Sequence, residues 1–151
     1  MRIPFFVSTQ QVSRLIAITH EWEGTPFSPH GALKGAGVDC VNYPALVYQE
    51  LGFLPDYKFP PYTMDGGAHL AKSAVIEWVE ASGKFDLVSG APQPGDLLLF
   101  KVGRNVEHHC GLLIQSNVFT HCLFRRAVCV DAFTGWRRQF TRAYRPMMEE
   151  A

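Results

Sequence analysis

The sequence predicts an α+β domain whose N-terminal helices pack on a central antiparallel sheet of about five strands. Apolar residues recur at helical spacing in the first half of the chain, and short extended apolar blocks separated by turns follow from residue 97 onward. Helices first and strands later are typical of α+β domains. With 151 residues and no internal repeat or linker, residues 1–151 are interpreted as one domain with its own core.

Capping residues and apolar spacing predict the first and third helices. Ser8 is placed to cap a helix that runs to about Trp22 and ends before Gly24. A third amphipathic helix is closed by Gly83. Its apolar positions are Leu70, Ala71, Ala74, Val75 and Trp78. Between the second and third helices, residues 53–63 are rich in proline and aromatic side chains and are predicted to be irregular.

The second helix is predicted to begin close to Cys40 and to run to about Leu51, where Gly52 stops it. Pro44 fits only in a first helical turn, where its missing N–H is not needed. Either the regular helix therefore starts slightly after Cys40, or its first turn is distorted. In both cases Cys40 lies at the N-terminal end of the helix.

Four extended segments are predicted to be strands of the sheet. They cover residues 97–100, 110–114, 118–122 and 127–131. Turns are predicted at residues 94–96, 103–105 and 115–117. Most cysteines and histidines of the chain fall in or next to these strands, so the sheet is expected to carry much of the chemistry.

The composition excludes several classes of function. Lys and Arg number 14 and Asp and Glu also 14, so no overall positive charge attracts nucleic acid or an anionic membrane. We recognise no signal-peptide core and no membrane span in the sequence, which predicts synthesis in a reducing cytoplasm. The four cysteines are accordingly interpreted as free thiols rather than as a disulfide framework. No cofactor is predicted.

Cys40 is the candidate nucleophile. It follows the glycine-rich residues 35–37 and Asp39, and it precedes the second helix. A cysteine at a helix N-terminus experiences the positive end of the peptide dipoles, which favours the thiolate. The sequence therefore predicts a reactive thiol that needs a base from elsewhere in the chain.

His109 and His121 are the candidates for that base and for a residue that orients it. If the hairpin that joins their strands is symmetric about Gln115, the two side chains lie opposite one another with Cβ atoms roughly 5 Å apart. A nucleophile, a base and a third group that holds the base are the general pattern of activated covalent catalysis.

Two other interpretations use the same residue types. Zinc is one, because His108, His109, Cys110, His121 and Cys122 are all possible ligands. Strand alternation argues against a single zinc site, since it places His109 and His121 on one face and the other three on the opposite face. The second is an acyltransferase in which the histidine precedes the cysteine along the chain, with His109 followed by Cys129 as nucleophile. Cys129, however, lies in a predicted strand interior. Cys110, Cys122 and Cys129 are predicted to be core residues.

Several motifs in the chain resemble those of one known family. They are Gly37-Val38-Asp39-Cys40, Pro94-Gly95-Asp96-Leu97, His109-Cys110-Gly111-Leu112 and Phe119-Thr120-His121-Cys122. In order and spacing they are similar to the motifs of the NlpC-type cell-wall peptidases, papain-like cysteine hydrolases of peptidoglycan stem peptides. The segments 21–27, 33–35 and 135–146 look more like one branch, the cell-wall peptidases of phage tails and gene transfer agents.

The resemblance implies a papain-like fold and a role for each matching residue. Cys40 would be the nucleophile, His109 the general base and then acid, and His121 the residue that orients His109. Asp39 would help to bind a free amine of the substrate, and the backbone N–H of Cys40 would help to stabilise the oxyanion. The implied partners are a peptidoglycan peptide and tail proteins of a phage-like particle, so the particle tail at the cell wall is the expected site of action.

The chain departs from the family pattern near the nucleophile. Val41 stands where the family has a small serine, Asn42 where it usually has glycine, and Phe27 where many relatives carry a pocket tyrosine. We therefore expect Phe27 and Asn42 to shape the substrate site. Together with Pro44 these departures also motivate a rival hypothesis, a tail-tip structural or assembly protein that keeps the fold and has weak chemistry or none.

Overall fold

The computed structural model describes residues 1–58, 73–103 and 107–150. In chain order the described elements are β1 (Arg2–Pro4), α1 (Thr9–Trp22), β2 (Ala32–Leu33), β3 (Gly37–Val38), α2 (Asn42–Glu50), α3 (Ala74–Ser82), β4 (Phe85–Leu87), β5 (Leu97–Phe100), β6 (His109–Gln115), β7 (Val118–Cys122), β8 (Val128–Ala132) and β9 (Phe140–Glu149). A short 3₁₀ helix, Phe133–Trp136, lies between β8 and β9. No described helix is long and apolar enough to cross a membrane.

The main sheet has seven antiparallel strands in the order β1-β9-β5-β6-β7-β8, with β4 also paired to β9. The predicted α+β class with an antiparallel sheet is therefore confirmed. The sheet exceeds the expected five or so strands because β9 pairs with β1, β4 and β5. β9 mixes arginine, proline and acidic residues with apolar ones, so its sequence shows no clear strand pattern.

The helices begin and end close to the predicted residues. Ser8 caps α1 and forms a capping box with Gln11, in which each residue bonds the backbone of the other. α3 is capped by Ser73 and ends at Gly83, whose left-handed φ of 70° suits glycine. The predicted helical positions Leu70 and Ala71, and residues 59–63 of the irregular segment, lie outside the described residues.

The sheet separates two buried clusters. The larger one lies under the helices and includes Leu15, Tyr43, Tyr48, Leu99 and Leu112. The smaller one lies on the other face of the strands. Its members are Leu98, Phe100, Leu113, Phe119, Phe133 and Ala143. Side chains alternate between the two faces along each strand, which decides whether a polar residue meets the helices or the 3₁₀ segment.

The hairpin between β6 and β7 has a different register from the predicted one. Gly111, not His109, lies opposite His121, and the register shifts between Leu113 and Gln115. The turn is formed by Ser116 and Asn117, so the hairpin is not symmetric about Gln115. The prediction that His109 and His121 lie directly opposite one another was therefore wrong, although both side chains do lie on the same face.

Candidate active site

Cys40 lies at the N-terminal end of α2, as predicted, two positions before the first helical residue, Asn42. Asp39 holds this junction, because its Oδ1 accepts hydrogen bonds from the backbone N–H groups of Val41, at 3.1 Å, and Asn42, at 2.7 Å. These are donors that the first turn of a helix leaves without intrahelical partners. Pro44 then falls within the first turn of the helix, where a proline is tolerated.

The Cys40 thiol is half-buried and donates to the backbone carbonyl of His108, with Sγ and oxygen 3.5 Å apart. The pKa of this thiol is raised to about 12, mainly by burial and to a smaller extent by the nearby negative charge of Asp39. The expected stabilisation of the thiolate by the helix N-terminus is therefore outweighed by desolvation, which favours the neutral thiol. In this resting arrangement the proton stays on sulfur, beside the residue that precedes His109.

His109 and His121 are joined by a hydrogen bond of 2.8 Å between His109 Nε2 and His121 Nδ1. The two residues are diagonal neighbours across the hairpin, a distance that side chains of this length can bridge. Gly111 makes the packing possible, because a Cβ at this position would lie 2.8 Å from the Phe119 ring and 3.0 Å from the Thr120 carbonyl. Burial lowers the pKa of His109 to about 3 and also lowers that of His121.

Asp131 extends this pair into a chain of three side chains. His121 Nε2 lies 2.7 Å from Asp131 Oδ2, although the Asp131 side chain on β8 is itself 39% exposed. A carboxylate only accepts hydrogen bonds, so His121 Nε2 donates to it and His121 Nδ1 is an acceptor. His109 must then donate from Nε2, which leaves His109 Nδ1 with a free lone pair. The chain of hydrogen bonds thus selects the tautomer in which His109 can act as a base.

Trp136 packs against both imidazoles. Its ring stacks on His109 at a centroid distance of 5.8 Å and an angle of 23°, and it meets His121 edge-on at 5.0 Å. The tryptophan is carried by the 3₁₀ helix that covers this face of the sheet. It therefore restricts rotation of the two rings and shields their hydrogen bond from water.

Cys40 and His109 line the same cleft, which has a volume of about 180 Å³. The other lining residues are Phe27, Val102, His108, Leu123, Phe124 and Trp136. Phe27 is held there by backbone hydrogen bonding to Arg126 and by an edge-to-face contact with Phe124 at 5.0 Å. The cleft is thus mostly apolar and aromatic, and it contains the Cys40 thiol and the His109 imidazole, the candidate nucleophile and base.

Asp39 and Asn42 make internal contacts. Asp39 is fully buried, and besides capping α2 it bonds the Asn42 side chain. Asn42 also donates to the Gly31 carbonyl at 3.4 Å and accepts from the Tyr57 hydroxyl at 2.7 Å. These bonds tie the start of α2 to two neighbouring loops. The substrate-binding roles of Asp39 and Asn42 stay predictions, and the structure describes a positioning role for both residues.

The structure also revises the interpretation of the cysteines. Cys110 and Cys122 are buried, as predicted, and belong to the helix-side cluster. Cys129 is only half-buried and lies directly opposite His121, so it shares the face of the histidines rather than the core. It was misassigned because its apolar neighbours Val128 and Val130 suggested a strand buried on both faces.

Two site residues were missed from the sequence. Asp131 stood at the end of a predicted strand, two positions beyond Cys129 and therefore on the same face. A symmetric β7–β8 hairpin would have placed it near His121, so the signal was present in the strand alternation. Trp136 lies in a 3₁₀ segment after β8 and carried no comparable signal.

The fold is an α+β domain in which a thiol at the start of a helix shares a cleft with a histidine from the sheet. A second histidine is hydrogen-bonded to the first, and this arrangement suits thiol–imidazole chemistry. A family model described as NlpC/P60 family matches residues 24–145, and the chain belongs to this family. The match includes Cys40, His109, His121 and Asp131. No curated protein matches the chain closely in sequence.

Solved structures of NlpC/P60 proteins share the fold. The NlpC/p60 domain of the peptidoglycan hydrolase SagA has a TM-score of 0.59 and 18% identity over 87% of this chain and 96% of that one. An NLP/P60 protein similar to a lipoprotein, from Staphylococcus aureus, has a TM-score of 0.65 and 18% identity, over 97% and 44% of the two chains. NlpC2 from Trichomonas vaginalis has a TM-score of 0.64 and 14% identity, over 96% and 49%. The chain thus spans nearly all of the SagA domain and less than half of the other two proteins.

Proposed function

We propose that the protein is a cysteine peptidase that hydrolyses an amide bond in peptidoglycan stem peptides. The observation that carries this proposal is the hydrogen-bonded chain His109–His121–Asp131, which prepares His109 as a base in the cleft that also contains Cys40. Peptidoglycan is the proposed substrate because the chain belongs to the NlpC/P60 family and because one structural neighbour is named a peptidoglycan hydrolase.

In the proposed reaction, substrate enters the cleft and the Cys40 proton turns from the His108 carbonyl toward His109 Nδ1. Sulfur attacks the amide carbonyl carbon as His109 takes the thiol proton, and a C–S bond forms. The C–N bond then breaks while the imidazolium gives this proton to the leaving amine. Water, deprotonated by His109, finally hydrolyses the thioester and releases the carboxylic acid and the free thiol.

Asp131 and His121 act through His109 in this scheme. His121 Nδ1 accepts a hydrogen bond from His109 Nε2–H, and Asp131 accepts one from His121 Nε2–H, so the positive charge that forms on His109 is stabilised along the chain. Because the resting thiol has a raised pKa, the proton is transferred during attack rather than before it.

The setting in a phage-like tail is a further part of the proposal. It rests on the resemblance of segments 21–27, 33–35 and 135–146 to the tail-associated branch. On this proposal the protein is made in the cytoplasm, joins a tail with other particle proteins, and acts at the cell wall.

A tail-tip structural protein with weak or absent chemistry is the second candidate. The observation that favours it is the Cys40 thiol, whose pKa is raised and whose hydrogen bond goes to a backbone carbonyl. On this alternative the fold would serve assembly without its chemistry, and substitution of Cys40 would leave assembly unchanged.

Hydrolysis of purified muropeptides separates the two candidates. We expect the wild-type protein to release peptide fragments, Cys40→Ala to release none, and His109→Ala to be slower by about 10² or more. His20→Ala is the matched control, because the His20 side chain is 79% exposed and is not one of the residues that line the cleft. A folded wild-type protein that releases no fragments from several peptidoglycan types, or a Cys40→Ala variant as active as wild type, would contradict the peptidase proposal.

A further inference from the structure

We propose that His121, Cys129 and Asp131 form a binding site for a divalent transition-metal ion such as Zn²⁺, and that the bound ion disables His109 as a base. The three residues offer a ring nitrogen, a sulfur and a carboxylate oxygen, and these donor atoms all lie within 4.8 Å of one another. Nitrogen, sulfur and oxygen donors of these types are the protein ligands of zinc.

The strand pairing brings the three ligands together. His121 on β7 lies directly opposite Cys129 on β8, and Asp131 follows two positions later on the same face. Zinc ligands arranged as a tetrahedron lie roughly 3.3 to 3.6 Å apart. The present separation of 2.7 Å between His121 Nε2 and Asp131 Oδ2 is shorter, so a small side-chain rotation would admit the ion.

The site is also accessible from solvent. His121 is fully buried, whereas Cys129 and Asp131 are half-buried and lie at the sheet edge that β8 forms. An ion can therefore approach from the side of Cys129 and Asp131, with water as a fourth ligand. This set shares only His121 with the zinc ligands considered from the sequence. Those earlier candidates are divided between the two faces of the sheet, whereas the present three residues lie on one face.

Metal binding would reverse the tautomers of both histidines. A metal at His121 Nε2 uses the lone pair of that nitrogen, so the His121 proton must lie on Nδ1. His121 Nδ1–H then donates to His109 Nε2, and the His109 proton moves to Nδ1, the nitrogen that would otherwise accept the thiol proton. The two rings keep two protons in total, and Cys129 releases its proton to solvent as it binds the ion.

The inhibitory consequence rests on the proposed peptidase function, whereas the metal site and the tautomer change do not. With the metal bound, His109 presents N–H instead of a lone pair to the nucleophile. Cys40 would then lack a base even though its own position is unchanged.

Binding is tested in a Cys40→Ala background, so that the candidate nucleophile cannot supply a ligand. We expect this variant to bind one Zn²⁺, and to give a thiolate-to-cobalt charge-transfer absorption with Co²⁺. The double variant C40A/C129S should bind zinc at least about tenfold more weakly and lose this absorption. The other two thiols, Cys110 and Cys122, are buried on the opposite face. Equal binding by the two variants, or none by C40A, would overturn the site.

The tautomer change is tested by nitrogen-15 NMR of the histidine rings in the same C40A protein, which requires no activity. We expect zinc to move the His109 proton from Nε2 to Nδ1, and the chelator EDTA to reverse the change. Zinc binding without this change would overturn the proposed effect on His109. In an active protein, zinc should inhibit wild type more than C129S, and equal inhibition would contradict the switch.

Discussion

At the scale of single residues, the site depends on which ring nitrogen carries each proton. Burial leaves His109 neutral, and the lone pair of a neutral histidine can lie on either nitrogen. The contact of His121 with Asp131 resolves this choice and passes it on to His109 through the 2.8 Å bond. In the proposed mechanism Asp131 is therefore a positioning residue, because it would act on the reaction through two imidazoles.

Asp131→Asn should lower kcat strongly and leave KM near the wild-type value. The asparagine amide can donate to His121 Nε2, which favours the opposite tautomer in both rings. We expect kcat to fall by roughly 10² or more, as is typical when the orienting carboxylate of a catalytic histidine becomes an amide. Steady-state hydrolysis of a muropeptide measures this effect.

Asp86→Asn is the control for this substitution, since Asp86 is a half-exposed carboxylate on β4. Its kcat should equal that of wild type. If Asp131→Asn lowers the melting temperature and its loss of kcat is fully explained by the smaller amount of folded protein, Asp131 supports the fold and does not set the tautomer.

At the scale of elements, Pro94-Gly95-Asp96 anchors the start of β5. Asp96 is buried and forms two hydrogen bonds with Arg145 of β9, at 3.0 and 2.9 Å, and it also accepts from the backbone of Gln93. Gly95 has a φ of 98°, and a Cβ there would collide with the Phe6 ring. This motif, which supported the family resemblance, therefore has a structural role in joining β5 to β9.

Asp96→Ala should lower the free energy of unfolding by about 3 kcal/mol, because it leaves the Arg145 guanidinium partly buried without its partner. Asp86→Ala is the matched control. It removes a pair with Arg2 that is exposed on both sides, so the loss should stay below about 1 kcal/mol. Urea unfolding of both variants measures the difference, and equal losses would show that the buried pair contributes no more than the exposed one.

At the scale of the whole molecule, the site requires that the helix next to Cys40 be held against the strands that carry the histidines. Tyr43 of α2 and Thr120 of β7 share a buried hydrogen bond of 2.8 Å between their hydroxyl groups. Thr120 precedes His121, and Tyr43 lies in the first turn after Cys40. This bond therefore links the two halves of the site directly.

Tyr43→Phe should destabilise the protein by about 1 to 2 kcal/mol, since it leaves the Thr120 hydroxyl buried without a partner. Thr120→Val should cost a similar amount for the converse reason. The double variant should lose less than the sum of the two, because it removes both polar groups together. Denaturant unfolding of the four proteins gives the coupling energy, and strict additivity would show that the bond does not join the helix to the sheet.

Local sequence features determined the positions of most helices and strands and the position of Cys40. Ser8, Gly83 and the apolar spacing were sufficient to predict where the helices end. The extended apolar blocks were sufficient to predict the positions of β5 to β8. The position of Cys40 before α2 followed from glycine, aspartate and proline preferences. These features are local, because capping bonds and side-chain alternation depend on residues a few positions apart.

The tertiary structure alone decided the remaining features. The register of the β6–β7 hairpin made His109 and His121 diagonal partners, and the pairing of β8 brought Asp131 and Cys129 to His121. β9 pairs with three other strands, β1, β4 and β5, although its mixed sequence did not predict a strand. Burial raised the pKa of Cys40, against the expectation from the helix N-terminus alone, and it lowered the pKa of His109. Such properties depend on residues distant in sequence that share one desolvated space, and only the folded chain brings them together.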